Sequence, residues 1–289
     1  NGEATTVSSG GDFADIIRRR LFDNPPPVEV TSATAQHFKE AMAGLWTNDV
    51  FGKLSGYDTG FAAAVERAYP FHPSLIDIAE NEWSLHTGFQ RVRSTIQVFA
   101  ATVFSLTERA NAGEWVPALI GPGDLPMSER NVRDALLDSG LVTDQRTQAS
   151  LREIASVEIA DPDHPDRGTA RLLDMNRAPQ GWNAENPRAA ERAATAMFVY
   201  SISPRPNAKR GATESEIRAA SFSPVNSYGP GDAEVVLAEL FQSDSGLVAY
   251  DMVKGSGGQP PRYYFETEKT LAMHARAERE AVTDPERDE

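Results

Sequence analysis

Five arginines fall in two groups whose spacing could bring guanidinium charge to an anionic ligand: Arg18, Arg19 and Arg20 close a short amphipathic stretch, and Arg91 and Arg93 open a long apolar one. A guanidinium is permanently charged and offers its donors in a planar fork, which suits phosphoryl recognition. On an ideal helix, at about 100° per residue, Arg20 shares a face with Phe13, whereas Arg18 and Arg19 point elsewhere. By the same geometry Arg91 and Arg93 flank their stripe about 160° apart, so both reach one phosphate only if the first turn is irregular. Lys254 and Arg262, beside a β-rich pair of runs, are further cations that could touch a partner.

Other chemistries lack their residues. There is no cysteine, which removes disulfides, thiolate nucleophiles, zinc-thiolate sites and iron–sulfur clusters and fits a reducing cytoplasm. His37, His72, His86, His164 and His274 form no H-x-x-x-H or H-E-x-x-H pair, so no metal site is predicted. His72, between Phe71 and Pro73, reads as a structural residue at a helix start. A phosphate loop G-x-x-x-x-G-K-[ST] is absent: Gly52-Lys53 continues with Leu54, and neither GPGDLP nor KGSGGQPP places a lysine correctly. A G-x-S-x-G elbow is missing too, so an autonomous hydrolase has no nucleophile motif and no catalytic residue is predicted. The 42 Asp and Glu against 28 Lys and Arg give a net charge of -14, which repels nucleic-acid backbones.

The elements that must position these residues are mostly helical. DFADIIRRRLF predicts a helix from Asp12 as N-cap to Phe22, stopped by Asn24 and Pro25 to Pro27. Helices are predicted over about 33–50 and 61–68, joined by a loop carrying Gly52, Gly56 and Gly60, and again after Pro73. The run from Phe89 places Phe89, Val92, Ile96, Phe99, Val103 and Leu106 at steps of three and four, the stripe of a core helix. Further helices are expected from Ser128 to Leu137, over Gln148–Val157 and over Ala189–Ile202, with DPDHPDRG as loop. Thr213 and Glu216 form a capping box, and Asp232 is expected to cap a helix ending at Gly246. LVAYDMV and RYYFET then read as a hairpin, which completes a winged-helix order. From 232 to 246 there is no Lys or Arg but Asp232, Glu234, Glu239 and Asp244, which disfavours DNA in a major groove. No apolar run approaches the roughly 20 residues of a membrane-spanning helix. The chain opens on Asn1 with a linker-like dozen residues and no signal peptide, as expected of a piece of a longer polypeptide.

IIRRRLF (16–22), YPFHPSLID (69–77) and GFQRVRSTIQVFA (88–100), with GPGDL, EIRAASFSP and RYYFET after them, resemble the ordered signatures of a prokaryotic ATPase family, domain of unknown function 499. The family includes the ATPases of phage growth limitation systems and is similar to AAA+ P-loop ATPases, with the phosphate loop and Walker B acid upstream. The resemblance implies a mainly α fold: a linker over 1–11, a helical lid-like domain over 12–117, a helical connector over 118–188, a winged-helix-like domain with a β-hairpin over 189–268, and a helical or disordered tail over 269–289. Arg91 and Arg93 match the family's F-Q-R-x-R, where a sensor-type arginine would meet the γ-phosphate of ATP bound with Mg in the intact parent. Arg18, Arg19 and Arg20 match R-R-R-L-F, which implies a finger-like or inter-domain contact. Ser94 stands where the family usually has glycine. The implied partners are the upstream ATPase core and other defence proteins, and no cofactor is expected for this chain alone. The alternative is a winged-helix regulator that binds protein or DNA.

Overall fold

The computed structural model describes residues 10–42, 60–177, 188–203, 205, 210–224, 230–242, 245–255, 257–269, 271 and 273–275. The predicted linker up to residue 9, the loop with Gly52 and Gly56, and the tail beyond 275 lie outside them. Among the described residues the chain is mainly helical, with one two-stranded antiparallel sheet near its end.

Helix α1 spans Gly10–Leu21, so Asp12 lies in its first turn rather than at its cap. Its buried face is Phe13, Ala14 and Ile17, while Ile16 is 41% exposed. The stripe is therefore turned toward Ala14, which leaves Arg20 exposed and draws Arg18 partly inward, the reverse of the sequence expectation. Helix α2, Val28–Met42, begins directly after the prolines and earlier than predicted, because the Pro27 carbonyl accepts from the amides of Val30 and Thr31. Helix α3 is Phe61–Ala68. Helix α4, Pro73–Asp77, runs on through a π turn (Ile78–Glu82) and a 3-10 turn (Trp83–Leu85). His72 caps α4, with Nδ1 accepting from the Ser74 amide at 3.1 Å, as its place before Pro73 suggested.

Helix α5, Arg91–Asn111, is the long helix expected, but its buried face differs. Ser94, Thr95, Val98, Phe99, Thr102, Ser105 and Leu106 are buried, whereas Val92, Ile96 and Val103 are half-buried. Small hydroxyl residues pass the periodicity test poorly, yet they bury readily in a helix when the hydroxyl bonds back to the preceding turn, as Thr102 does to Val98. Helix α6 spans Arg130–Leu137 and is preceded by Glu129 rather than capped by Ser128. Helix α7, Gln145–Ile154, is capped by Asp144 and ends in a second π turn, Ala155–Ile159. Helix α8, Thr169–Arg177, has no counterpart in the sequence expectation.

Helix α9, Ala189–Ile202, is buried on every side along nearly its whole length, Glu191 and Arg192 included. Against it pack a tight turn at Pro122–Asp124, α8, α10 (Glu214–Ser221), α11 (Pro230–Leu240) and the hairpin. Gly123 permits that approach: a Cβ there would stand 2.6 Å from the Arg192 carbonyl. The Thr213–Glu216 capping box opens α10 as predicted, with Thr213 N donating to Glu216 Oε2 at 2.8 Å and Glu216 N to Thr213 Oγ1 at 3.2 Å. Strands β1 (Tyr250–Val253) and β2 (Arg262–Phe265) pair antiparallel with Tyr250 opposite Phe265 and Val253 opposite Arg262. Ala212 bridges Tyr263 on the other edge of β2, so the order after residue 188 is helix, bridging residue, helix, helix, strand, strand.

Candidate functional site

The head of α5 is built by two close backbone approaches. Gly88 and Gly140 face each other so tightly that a Cβ on Gly140 would fall 2.0 Å from the Gly88 carbonyl, and Gly140 holds φ +95°. Across that contact Ser94 Oγ donates to the Ser139 carbonyl at 2.7 Å and accepts from the Gln90 amide at 3.2 Å. Ser94 thus ties the first turn of α5 to the end of α6.

From this anchored turn the two candidate arginines diverge. Arg91 Nη2 donates to Glu80 Oε1 at 2.5 Å, and its guanidinium lies 4.8 Å from the Phe13 ring centroid on α1. The Arg91 side chain is 39% exposed and the Glu80 side chain 9%. Arg93 points outward and is exposed. The first turn is regular, so the two do not meet one ligand. Glu80 sits on the π turn, which rotates its carboxylate inward, and Ser84 Oγ donates to the Glu80 carbonyl. Beside it a cavity of about 180 Å³ is lined by Ala14, Ala64, Arg67, Asp77, Glu80 and Asn81, among others. Arg18 is taken up locally, donating to Asp15 at 3.0 Å, whereas Arg19 and Arg20 are exposed.

At the hairpin, Lys254 is exposed just after β1. Arg262 is turned inward: Nη2 lies 2.7 Å from Glu216 Oε2 and donates to the Gly211 carbonyl at 2.8 Å, with 15% of its side chain exposed. It shares Glu216 with Arg205, which also grips Glu82 through two nitrogens at 2.8 and 2.6 Å and lies 4.3 Å from the Tyr200 ring. Burial pushes the Glu216 carboxyl up, but Arg205, the Thr213 amide and Arg262 outweigh it and hold that group below the usual carboxylate range. Arg205 was not singled out from the sequence, and its place in Ser-Pro-Arg-Pro gives only a turn signal. Equally silent is Asp124, whose buried carboxylate accepts from Arg192 Nε at 2.6 Å and from the Gly121 amide at 2.8 Å. Among the described residues no group of three or more His, Asp or Glu is placed to hold a metal ion. No described helix is long and apolar enough to cross a membrane.

The arrangement is that of a helical domain whose arginines mostly bind its own carboxylates, leaving a few cations at helix ends. A family model described as DUF499 second domain matches residues 8–174, more than half of the chain, and the chain belongs to the DUF499 family. No curated protein and no solved structure matches it.

Proposed function

We propose that this chain is the lid and regulatory region of a P-loop ATPase, part of a bacterial anti-phage defence complex of the cytoplasm, and that it relays nucleotide state to a partner. The observation that carries the reading is the division of roles at the head of α5. Arg91 is held by Glu80, whereas Arg93 is exposed in a first turn that contains no acidic residue. The positive end of the helix adds to the charge of Arg93, so an anion presented there by another part of the protein meets both. In this reading Arg93 is the sensor of the γ-phosphate and Arg91 a positioning residue.

The donor set within the chain fits ATP only as a contributor. One exposed guanidinium without a G-x-x-x-x-G-K loop can meet a phosphate that the upstream core holds with Mg, but it cannot hold the nucleotide itself. Membership of the DUF499 family supports the assignment. In the intact ATPase, Arg93→Ala is expected to lower turnover about 100-fold or more and to leave the thermal midpoint nearly unchanged. Wild-type turnover in Arg93→Ala would discard the sensor role.

A second reading, a winged-helix-like module that binds protein or DNA, is supported by the isolated Ala212–Tyr263 bridge on the free edge of the hairpin, where such a module would carry a short third strand. The helix at the recognition position, α11, has no Lys or Arg. DNA is therefore disfavoured, and a mobility shift at low salt is expected to show no retarded band; tight, sequence-dependent binding would favour the regulator.

A further inference from the structure

Three arginines converge on a cleft between the end of α5, Trp115 and the head of α9: Arg109, Arg188 and Arg192. Arg192 is committed to Asp124 and lies 5.0 Å from the Trp115 ring. Arg109 and Arg188 are held differently, by carboxylates at the surface. Arg109 donates to Glu129 at 3.3 Å and to the Ser128 hydroxyl at 2.7 Å, and Arg188 donates to Glu114 at 2.7 Å. The side chains of Glu129 and Glu114 are 42% and 49% exposed, and such pairs exchange readily with competing anions. The lining carries the guanidiniums of Arg109, Arg188 and Arg192 and the carboxylates of Asp124 and Glu191, so a positive surplus arises there once Glu114 and Glu129 give way. Arg188 also holds φ +67°, a conformation rare outside glycine, while its carbonyl accepts from the Arg192 amide at 2.8 Å.

We infer that this cleft binds a phosphoryl group between Arg109 and Arg188, with Trp115 and Thr195 forming part of its wall. Two guanidiniums from different elements offer donors along several directions, which suits a tetrahedral dianion better than a planar carboxylate. The free space is about 20 Å³, enough for about one water, so the phosphoryl group enters by displacing Glu114 and Glu129. Burial, and after it the neighbouring Arg188, holds Arg109 below its ordinary range, a penalty that a bound anion removes. Arg109 lies about 27 Å along α5 from Arg91, and the inference does not depend on the reading of Arg93.

The test is titration of the chain with inorganic phosphate, AMP and O-phosphoserine at constant ionic strength, by calorimetry and thermal unfolding. At ten times its Kd, a ligand that fits is expected to raise the midpoint by about 3 °C. Arg188→Gly puts at the left-handed position the residue that suits it, so the fold is kept while the ligand-induced shift is lost. Arg109→Gln is expected to lose it as well. Binding of phosphate alone identifies the free ion, of AMP a nucleotide, and of phosphoserine a modified protein. No saturable binding by any of the three, or an equal shift in Arg188→Gly and wild type, overturns the proposal.

Discussion

Arg91 and Arg93 stand two residues apart and answer differently to substitution. Removing Arg91 leaves the Glu80 carboxylate, nine-tenths buried, without its cation, so Arg91→Ala is expected to cost about 1–3 kcal/mol, read as a lower urea midpoint. Arg93→Ala, at an exposed site, is expected to stay within about 0.5 kcal/mol. Equal losses would contradict the assignment of Glu80 to Arg91. His72 makes a second residue-scale prediction. Enclosed between the rings of Phe38 and Phe61, each 5.8 Å away, its imidazole is pushed by burial from 6.5 down to about 3. Between those values the unfolded chain binds the proton and the folded chain does not, so stability falls as pH drops below about 6.5. The expected loss at pH 5 is about 2 kcal/mol, seen by urea unfolding at pH 7.5 and 5. His72→Asn, which can still cap α4, should flatten that dependence.

The two π turns perform the same task at the scale of the element. Each follows a short α-helix and turns a glutamate into the interior: Glu80 toward Arg91, and Glu158 toward the amides of Val248 and Ala249, to which Oε1 bonds at 2.9 and 2.6 Å. A regular helix would carry the same residues on a steady 100° rotation, so a one-residue widening redirects a side chain without a break in the helix. Glu158→Ala takes the acceptor from two buried or half-buried amides just before β1, and a loss of about 2–4 kcal/mol is expected. Hydrogen exchange at Val248 and Ala249 should accelerate while the interior of α5 stays protected; unchanged exchange there would show that Glu158 does not hold the hairpin. Neither π turn was legible beforehand, since each depends on what the glutamate meets across the chain. Helix ends were more legible, because caps are local: His72 before Pro73 and the Thr213–Glu216 box stand where the sequence placed them.

Among the described residues a large apolar core runs from Phe13 on α1 to Met273, and a smaller cluster gathers Ala35, Phe38, Phe61, Val65, Leu119 and Phe222. Helix α9 is the centre of the large core, and the residues matched by the family model stop short of that helix. Asp174 closes the junction by accepting from the amides of Ala190 and Glu191 at 2.8 and 2.9 Å, while Asp124 accepts from Arg192. A chain ending at residue 174 would expose the turn at Pro122–Asp124 and the faces of α8 that α9 covers. Such a truncation is expected to melt without a cooperative transition, whereas the longer chain unfolds in one. A sharp transition near the wild-type midpoint in the shorter chain would show the matched segment to be autonomous.

Composition, periodicity and caps determined by themselves that this protein is mainly helical, that a long helix begins near Arg91, and that a hairpin forms over the runs around residues 250 and 263, because each of these rests on residues near one another in sequence. Tertiary structure alone decided which arginines are spent internally. Arg262 and Arg91 find carboxylates 46 and 11 residues away at Glu216 and Glu80, while Arg93 and Lys254 stay exposed. A guanidinium takes the nearest buried carboxylate, and which one is nearest is set by packing at a distance that no local pattern encodes.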